Sequence, residues 1–141
     1  MKNVVREMTL ATLNDAEFID ITEKVRLILE SSLIQNGQLT VITQHTTTAI
    51  IINEKETGLQ KDMLRFLNRI VPKSGDYEHD LTPIDGRINA HSHLQSLLLT
   101  TSQVVPVIDG KLKLGAWQSI FFVELDGPRP NRQVILQILG E

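Results

Sequence analysis

The sequence contains no cysteine, and this absence removes several kinds of chemistry. Disulfides, thiolate zinc sites and cysteine nucleophiles are excluded, so any metal ion must be held by nitrogen and oxygen ligands. Aromatic residues are scarce at 4%, and the 14 basic residues are scattered without a cluster. Nucleic-acid surfaces need concentrated positive charge. We therefore expect no nucleic-acid partner.

Long hydrophobic runs are also missing. The apolar run at residues 49–52 falls far short of the roughly 20 residues that cross a bilayer. Residues 3–12 have neither the apolar core nor the small-residue cleavage site of a secretory signal. These observations predict a cytoplasmic protein with no membrane partner. With 141 residues, 41% hydrophobic and 22% charged, and a net charge of −3, the composition is that of one globular domain, 1–141.

Hydrophobic spacing predicts an α+β fold. The predicted strands, rich in β-branched residues, are 2–12, 38–44, 47–53, 103–109, 111–125 and 131–140. The predicted helices are 21–35 (a capping box at Asp20 and Glu23, a stop at Gly37), a second from Thr57 (with Gln60) that Pro72 terminates, and a short third at 93–100. Asp109-Gly110 predicts a type I′ hairpin. Together these elements predict a largely antiparallel sheet with two main helices and one short helix.

All four histidines lie in polar contexts between positions 45 and 93. His79 stands between Glu78 and Asp80 in a long loop, 72–90, and this mixture suits divalent metals where thiolates are absent. His91 and His93 form an HSH sequence, and an extended backbone would put both on one face about 7 Å apart. Each histidine taken alone is more often a surface or structural residue than a functional one.

A second interpretation of the HSH segment is a helix start. Ser92 with Gln95 predicts an N-cap for a helix that begins at His93, which would place free N–H groups beside two imidazoles. Such a site attracts phosphate. The alternative is plain N-capping with exposed histidines.

Three other stretches carry candidate polar groups. Thr46, Thr47 and Thr48 offer hydroxyls to a phosphate, although threonine also suits strands. Glu54 ends a predicted strand, where it either faces a cleft or marks the exit to the next helix.

The strand predicted at 111–125 and the segment that follows it carry the remaining candidates. Gln118 and Glu124 share one face of it if the strand is unbroken, and a buried Glu124 needs an arginine, a histidine or a metal as partner. Arg129 and Arg132 are candidate anion clamps, or surface ion pairs.

The chain resembles the YjbQ family, described as secondary thiamine-phosphate synthases. The resemblance rests on SQVVPVIDGKLKLGAWQ at 102–118, preceded in order by HTTTA at 45–49, NE at 53–54, YEHD at 77–80 and a histidine before the short helix. It covers nearly the whole chain. It implies a compact α+β fold similar to a sandwich or half-barrel, assembled as a homotrimer.

The resemblance also implies a site and a reaction. The site is metal-associated, with His45, His79 and His93 as ligands, Asp80 and Glu124 close by, and His91 as a variable neighbour. Zinc is favoured, but histidine with carboxylate also suits Mn, Ni or Fe. The reaction joins hydroxymethylpyrimidine diphosphate to thiazole phosphate and releases pyrophosphate, and the word "secondary" allows for a side activity.

Three hypotheses follow. In the first, the metal ion neutralises the diphosphate, a carboxylate (Glu124, Asp80 or Glu54) orients a ligand or moves a proton, and Thr46, Thr47, Gln118 and Arg129 bind substrate. In the second, the same site is a metal-dependent hydrolase of a small phosphorylated metabolite. In the third, the chain is a trimeric metal-binding module without catalysis.

Overall fold

The computed structural model describes residues 1–141 and contains eight strands and three α-helices. The strands are β1 (Lys2–Leu10), β2 (Glu17–Asp20), β3 (Gly37–Thr43), β4 (Thr48–Glu54), β5 (Ser102–Ile108), β6 (Lys111–Leu112), β7 (Gln118–Glu124) and β8 (Arg132–Gly140). The helices are α1 (Thr22–Ser32), α2 (Thr57–Ile70) and α3 (Ala90–Leu98), and a 3₁₀ turn covers Glu78–Asp80.

The strands form two antiparallel sheets that curl into a half-barrel. One sheet has the order β1-β8-β3-β5-β6 and the other β2-β7-β4. This arrangement confirms the predicted α+β fold with a largely antiparallel sheet, two main helices and one short helix. None of the helices combines the length and the apolar character needed to cross a bilayer.

The main core lies between the sheets and helix α1. Val25 and Leu29 of α1 are fully buried against Leu136 and Ile138 of β8 and their neighbours. Strand β7 is buried on both faces, because Ile120 and Phe122 join this core while Phe121 and Val123 pack into a second cluster with Leu67 of α2. Both faces of β7 thus exclude water, and its end is a fixed platform for polar groups.

Helix α1 is shorter than the predicted 21–35. It ends at Ser32, and the next residue, Leu33, adopts a left-handed conformation with φ of 59°, so the predicted stop at Gly37 is wrong. Gly37 instead opens β3, where a Cβ would come 2.0 Å from the carbonyl oxygen of Leu139. The predicted capping box is also absent, because Asp20 accepts hydrogen bonds from the N–H and hydroxyl of Thr22 while Glu23 pairs with Arg26.

Helix α2 ends before Pro72, as predicted, but its cap is not Thr57. The carboxylate of Glu56 accepts hydrogen bonds from the N–H groups of Gly58 and Leu59. These two donors would otherwise be unpaired at the first turn of the helix.

The strand predicted at 111–125 is broken. Asp109 and Gly110 have φ of 51° and 71°, which confirms the hairpin, but β6 stops at Leu112. The Gly115 N–H donates to the Gln118 side chain at 2.7 Å, and the chain then enters the other sheet as β7. Strand β2, which pairs with β7, has no counterpart among the predicted strands.

Helix α3 begins three residues earlier than the predicted start at His93, so the HSH segment is helical. Residues two apart on a helix point about 200° apart, so His91 and His93 do not share a face. The predicted Ser92–Gln95 cap is wrong, because Ser92 donates to the Leu125 carbonyl at 2.6 Å and Gln95 donates to the Val71 carbonyl at 3.0 Å. The phosphate site predicted from that cap is therefore not formed.

Candidate functional site

A cavity of about 260 Å³ lies where β4 begins and β7 ends. Its walls come from the β3–β4 turn, the loop before α3, α3 itself and the segment leading into β8. None of its nine lining residues is hydrophobic: Gln44, His45, Thr46, Thr47, Asp85, Asn89, His93, Arg129 and Arg132. We call it the polar cavity.

Two further cavities adjoin it. A groove of about 840 Å³, here called the wide groove, shares Gln44, His45, Thr46 and His93 with the polar cavity. A pocket of about 280 Å³ lies between the 3₁₀ turn and α3 and is lined by His79 and His93 among others. His93 is the one residue that lines all three spaces.

Glu124, predicted as a catalytic carboxylate, is instead the centre of a buried ion pair. It is 0% exposed, and Arg132 binds it through two hydrogen bonds of 2.6 and 2.8 Å. The same carboxylate accepts hydrogen bonds from Thr12 and from the backbone N–H groups of Leu125 and Asp126. The prediction that Glu124 needs a partner is confirmed. Its lone pairs are already engaged, so the catalytic role is not supported.

The pKa of Glu124 reflects this environment. Burial alone would raise it, but hydrogen bonds from Arg132, from the Asp126 backbone and from Thr12 outweigh burial and hold the pKa below its ordinary value. Glu124 therefore stays ionised at neutral pH and anchors Arg132 at the cavity wall.

Arg129 is held by a second carboxylate. Asp126 accepts hydrogen bonds from Arg129 at 2.8 Å, from Arg87 at 3.1 Å and from Asn89 at 2.7 Å. Burial alone would raise the pKa of Asp126, but the bonds from Arg87, Asn89 and Arg129 lower it to about 2. Arg129 is thereby fixed in the wall of the polar cavity, where the sequence predicted a phosphate contact.

His45 is fixed by the backbone of β8. Its Nε2 accepts the N–H of Gln133 at 2.8 Å. Burial and the charges of Arg132 and Arg129 lower the pKa of His45, against the opposing charge of Glu124. The ring is thus neutral at pH 7, with its proton on Nδ1.

The predicted threonines differ in their surroundings. Thr46 is exposed and its hydroxyl makes no hydrogen bond within the chain. Thr47 is buried and accepts a hydrogen bond from Arg132 at 3.0 Å, which leaves its O–H free to donate. Thr48 lies outside the cavity lining and bonds to Thr43 and to the His45 carbonyl. Two of the three hydroxyls therefore line the polar cavity.

The pair His79 and Asp80 lies next to His93. The His79 Nδ1 is 3.3 Å from the Asp80 carboxylate, and the rings of His79 and His93 are 5.1 Å apart. Asp80 also accepts the Ala90 N–H at 3.0 Å, so it ties the long loop to the first turn of α3. His91 faces away, lining a separate cavity of about 90 Å³.

Glu54 and Gln118 do not join this site within one chain. Glu124 pairs with Thr48 and Gln118 with Glu54 across β4 and β7. The two ends of this strand pair are about 20 Å apart at the usual rise per residue. Gln118 is exposed and bonds to its own turn, so its predicted substrate contact and the predicted catalytic role of Glu54 are not supported at the polar cavity.

The set of metal ligands predicted from the resemblance does not fit this arrangement. No three His, Asp or Glu side chains converge closely enough to hold one ion. The Nε2 lone pair of His45 is engaged by Gln133, and in a neutral imidazole the other nitrogen carries the proton. His45 therefore offers no lone pair to a metal. The divalent ion stays a prediction, and no step below depends on it.

Sequence reasoning missed Asn89 and Asp126. Asn89 is 4% exposed and lines the polar cavity, and its Oδ1 has no hydrogen-bond partner. Asp126 follows the end of the buried strand β7, a usual position for site residues, and Asn89 directly precedes α3. Their positions at the end of a strand and before a helix were the signal in the sequence that could have identified them.

Known proteins match this chain over a range that includes every residue of the polar cavity. A family model described as UPF0047 protein YjbQ-like matches residues 6–141. A UPF0047 protein of Methanothermobacter thermautotrophicus is 48% identical over 141 residues, covering 100% of this chain and 95% of that protein. The UPF0047 protein YugU of Bacillus subtilis is 35% identical over 139 residues, covering 97% of this chain and 100% of that protein.

Solved structures agree with this result. A YbjQ-like protein of unknown function from Sulfolobus solfataricus has a TM-score of 0.94 at 40% identity, covering 99% of both chains. A hypothetical protein from Aeropyrum pernix has a TM-score of 0.91 at 38% identity, covering 98% of this chain and 99% of that one. The half-barrel architecture is thus shared with both proteins.

Proposed function

The chain belongs to the YjbQ-like UPF0047 family, and from this premise we propose that its polar cavity binds the phosphate groups of a small metabolite. The reaction that we propose joins hydroxymethylpyrimidine diphosphate to thiazole phosphate, giving thiamine phosphate and pyrophosphate. The observation that carries the proposal is a wall without hydrophobic residues that includes two arginines, one held by the buried Glu124 and the other by the half-buried Asp126.

Each of these arginines keeps a free donor. Arg132 uses Nε and Nη2 to bind Glu124 and Thr47, and Arg129 uses Nε and Nη2 to bind Asp126. The Nη1 group of each makes no hydrogen bond within the chain, and neither is among the enclosed polar atoms that lack a partner. A planar guanidinium held in this way presents its remaining N–H groups to an anion without losing side-chain freedom.

The local charge favours an anion. Arg87, Arg129 and Arg132 face two carboxylates, the buried Glu124 and the half-buried Asp126. Asp85 also lines the cavity, but it is exposed to solvent, where its charge is screened. These three arginines and two carboxylates together leave one positive charge beside the cavity.

The proposed reaction requires hydrogen-bond donors and positive charge beside the leaving diphosphate. The thiazole nitrogen attacks the methylene carbon of the pyrimidine, a C–N bond forms, and the C–O bond to the diphosphate breaks with its electron pair leaving on pyrophosphate. Charge develops on the leaving group, and Arg129, Arg132 and Thr46 can donate hydrogen bonds to it. Since the nitrogen is already a nucleophile, no general base is required, and the engagement of Glu124 is no obstacle.

The test is formation of thiamine phosphate by the purified chain. We expect product to accumulate above the protein-free rate only when both substrates are present, because the diphosphate is the leaving group of one and the nitrogen belongs to the other. Reactions that omit one substrate are the controls. A folded protein that forms product no faster than buffer, with and without added divalent ions, would contradict the proposal.

A second candidate is hydrolysis of a small phosphorylated metabolite; the sequence predicted a metal-dependent reaction, and the metal ion itself stays a prediction. The observation that favours it is the His79–Asp80 contact of 3.3 Å beside His93, since a carboxylate that orients an imidazole is a usual arrangement for activating water. Phosphate release from a panel of phosphorylated metabolites would distinguish it, and no release from any of them would leave it without support.

The homotrimer, zinc as the ion and a cytoplasmic location stay predictions, as does the non-catalytic binding module. A bound metal ion without turnover of any substrate would favour the trimeric metal-binding module over both enzymes.

A further inference from the structure

We propose that His45 serves the polar cavity as a hydrogen-bond donor, and that its Nδ1–H group contacts a phosphate oxygen of the ligand. This inference rests on the proposed phosphate-binding function. It assigns His45 a role different from the metal ligand that the resemblance implies.

The bond to Gln133 decides the form of the ring. A backbone N–H can only donate, so the Nε2 that lies 2.8 Å from it must carry a lone pair. Gln133 belongs to β8, which is paired with β1 on one side and β3 on the other, so the sheet holds this donor in place. In a neutral imidazole the proton then resides on Nδ1.

The backbone of His45 is fixed as well. Its N–H donates to the Thr43 hydroxyl at 3.4 Å, and its carbonyl accepts the Thr48 hydroxyl at 3.2 Å. These contacts pin the turn between β3 and β4 at both sides of the residue. A ring held at its backbone and at Nε2 has little freedom, so its Nδ1–H is pre-organised for a ligand.

Nδ1 is the polar atom of the ring that remains available. It makes no hydrogen bond within the chain, and it is not one of the enclosed atoms without a partner, a set that contains only Asn89 Oδ1 and His91 Nδ1. His45 lines both the polar cavity and the wide groove. The free donor therefore borders the space in which Arg129 and Arg132 present theirs.

The same donor is unsuited to a metal ion. A metal ligand must offer a lone pair, and a nitrogen that carries a proton offers none. Binding through Nε2 would break the bond to Gln133 and leave its N–H without that acceptor. A phosphate oxygen accepts hydrogen bonds from every donor in the cavity wall at once and requires no such change.

The test compares two variants of nearly equal shape. His45→Asn retains an N–H donor close to the position of Nδ1, whereas His45→Leu has none. With inorganic pyrophosphate as the probe and calorimetry as the measurement, His45→Leu is expected to weaken binding about tenfold or more, because one hydrogen bond to a charged group is lost. His45→Asn is expected to stay within about threefold of wild type.

The tautomer is tested in the unaltered protein, so the test does not depend on either variant folding. NMR of ¹⁵N-labelled histidine should show the His45 proton on Nδ1, with its signal shifting when pyrophosphate is added. A proton on Nε2, or loss of stoichiometric metal from both variants, would overturn the inference.

Failure of this inference is distinguishable from failure of the proposed function. If wild type binds pyrophosphate and His45→Leu binds it equally well, only the proposed role of His45 is contradicted. If wild type does not bind pyrophosphate, both the phosphate site and the role of His45 are contradicted.

Discussion

Replacing His93 with alanine is expected to lower the rate of thiamine phosphate formation about 100-fold, the usual scale for removing one positioned hydrogen-bond donor from a site where charge develops on a leaving group. His93 lines the polar cavity, the wide groove and the pocket beside His79. Its loss removes the imidazole shared by all three spaces, whose ring centre lies 5.1 Å from that of His79. Initial rates with both substrates measure the effect.

His91→Ala is the matched control. The two histidines lie two positions apart on α3, so a general disturbance of the helix would affect both variants. His91 borders a different cavity with Asp15, Lys73 and Asp126, and we expect its replacement to leave the rate within about twofold of wild type. Equal losses in the two variants, or full activity of His93→Ala, would contradict the assignment of the site.

Replacing Arg132 with methionine is expected to lower the free energy of unfolding by about 3–5 kcal/mol, the usual effect of removing one partner of a buried ion pair. Glu124 is 0% exposed and would be left as an unpaired buried charge. Chemical denaturation measures the change. A loss of about 1 kcal/mol or less, the scale of a surface pair, would contradict the structural role of this pair.

The double variant Glu124→Gln/Arg132→Met is the control. It removes the buried charge, while the amide oxygen of glutamine can still accept the N–H groups of Leu125 and Asp126. We expect it to recover roughly 1–2 kcal/mol of the loss, because an uncompensated charge is costlier than a neutral amide.

The pH dependence of the free energy of unfolding is a second measurement on the single variant Arg132→Met. The pKa of Glu124 is lower in the folded chain than its ordinary value of about 4.5. Its stabilising contribution is therefore complete above the unfolded pKa and is lost as the pH falls from there through the folded pKa. Arg132→Met removes the main hydrogen bonds that lower this pKa, so its stability should decline less steeply in acid than that of wild type.

The sequence correctly predicted those turns and helix ends that are determined by residues close together in the chain. The Asp109-Gly110 hairpin and the end of α2 before Pro72 depend on backbone angles and a missing N–H, which neighbouring residues determine. The early start of α3 depends instead on distant contacts, since Ala90 donates to Asp80 and Ser92 to Leu125. Asn89 at that start is a residue type common at N-caps, but its side chain makes no capping hydrogen bond, and the Ser92–Gln95 pattern placed the start too late.

The break in the strand predicted at 111–125 has the same kind of cause. Residues 111–112 pair with β5 in one sheet, and β7 pairs with β2 and β4 in the other. The choice between partners is a tertiary one that alternation along a single segment does not encode. The short β2, only four residues long, was missed because its stability comes from β7.

The candidate site was predicted in part. Alternation along the strand identified Glu124 as a carboxylate in need of a partner, and Arg132 confirms that need. The partner engages the carboxylate fully, which changes its role from catalysis to anchoring. Glu54 was expected near the other residues because it ends a strand, but β4 runs antiparallel to β7 and places it at the opposite end of the pair.

The most direct test of the phosphate site is a map of amide chemical shifts during titration with inorganic pyrophosphate. We expect saturable changes concentrated at His45, Thr46, Thr47, His93 and Arg132, with none at Glu54 or Gln118. Changes confined to the Glu54 and Gln118 end, or no saturable change at all, would contradict the claim that the polar cavity binds phosphate.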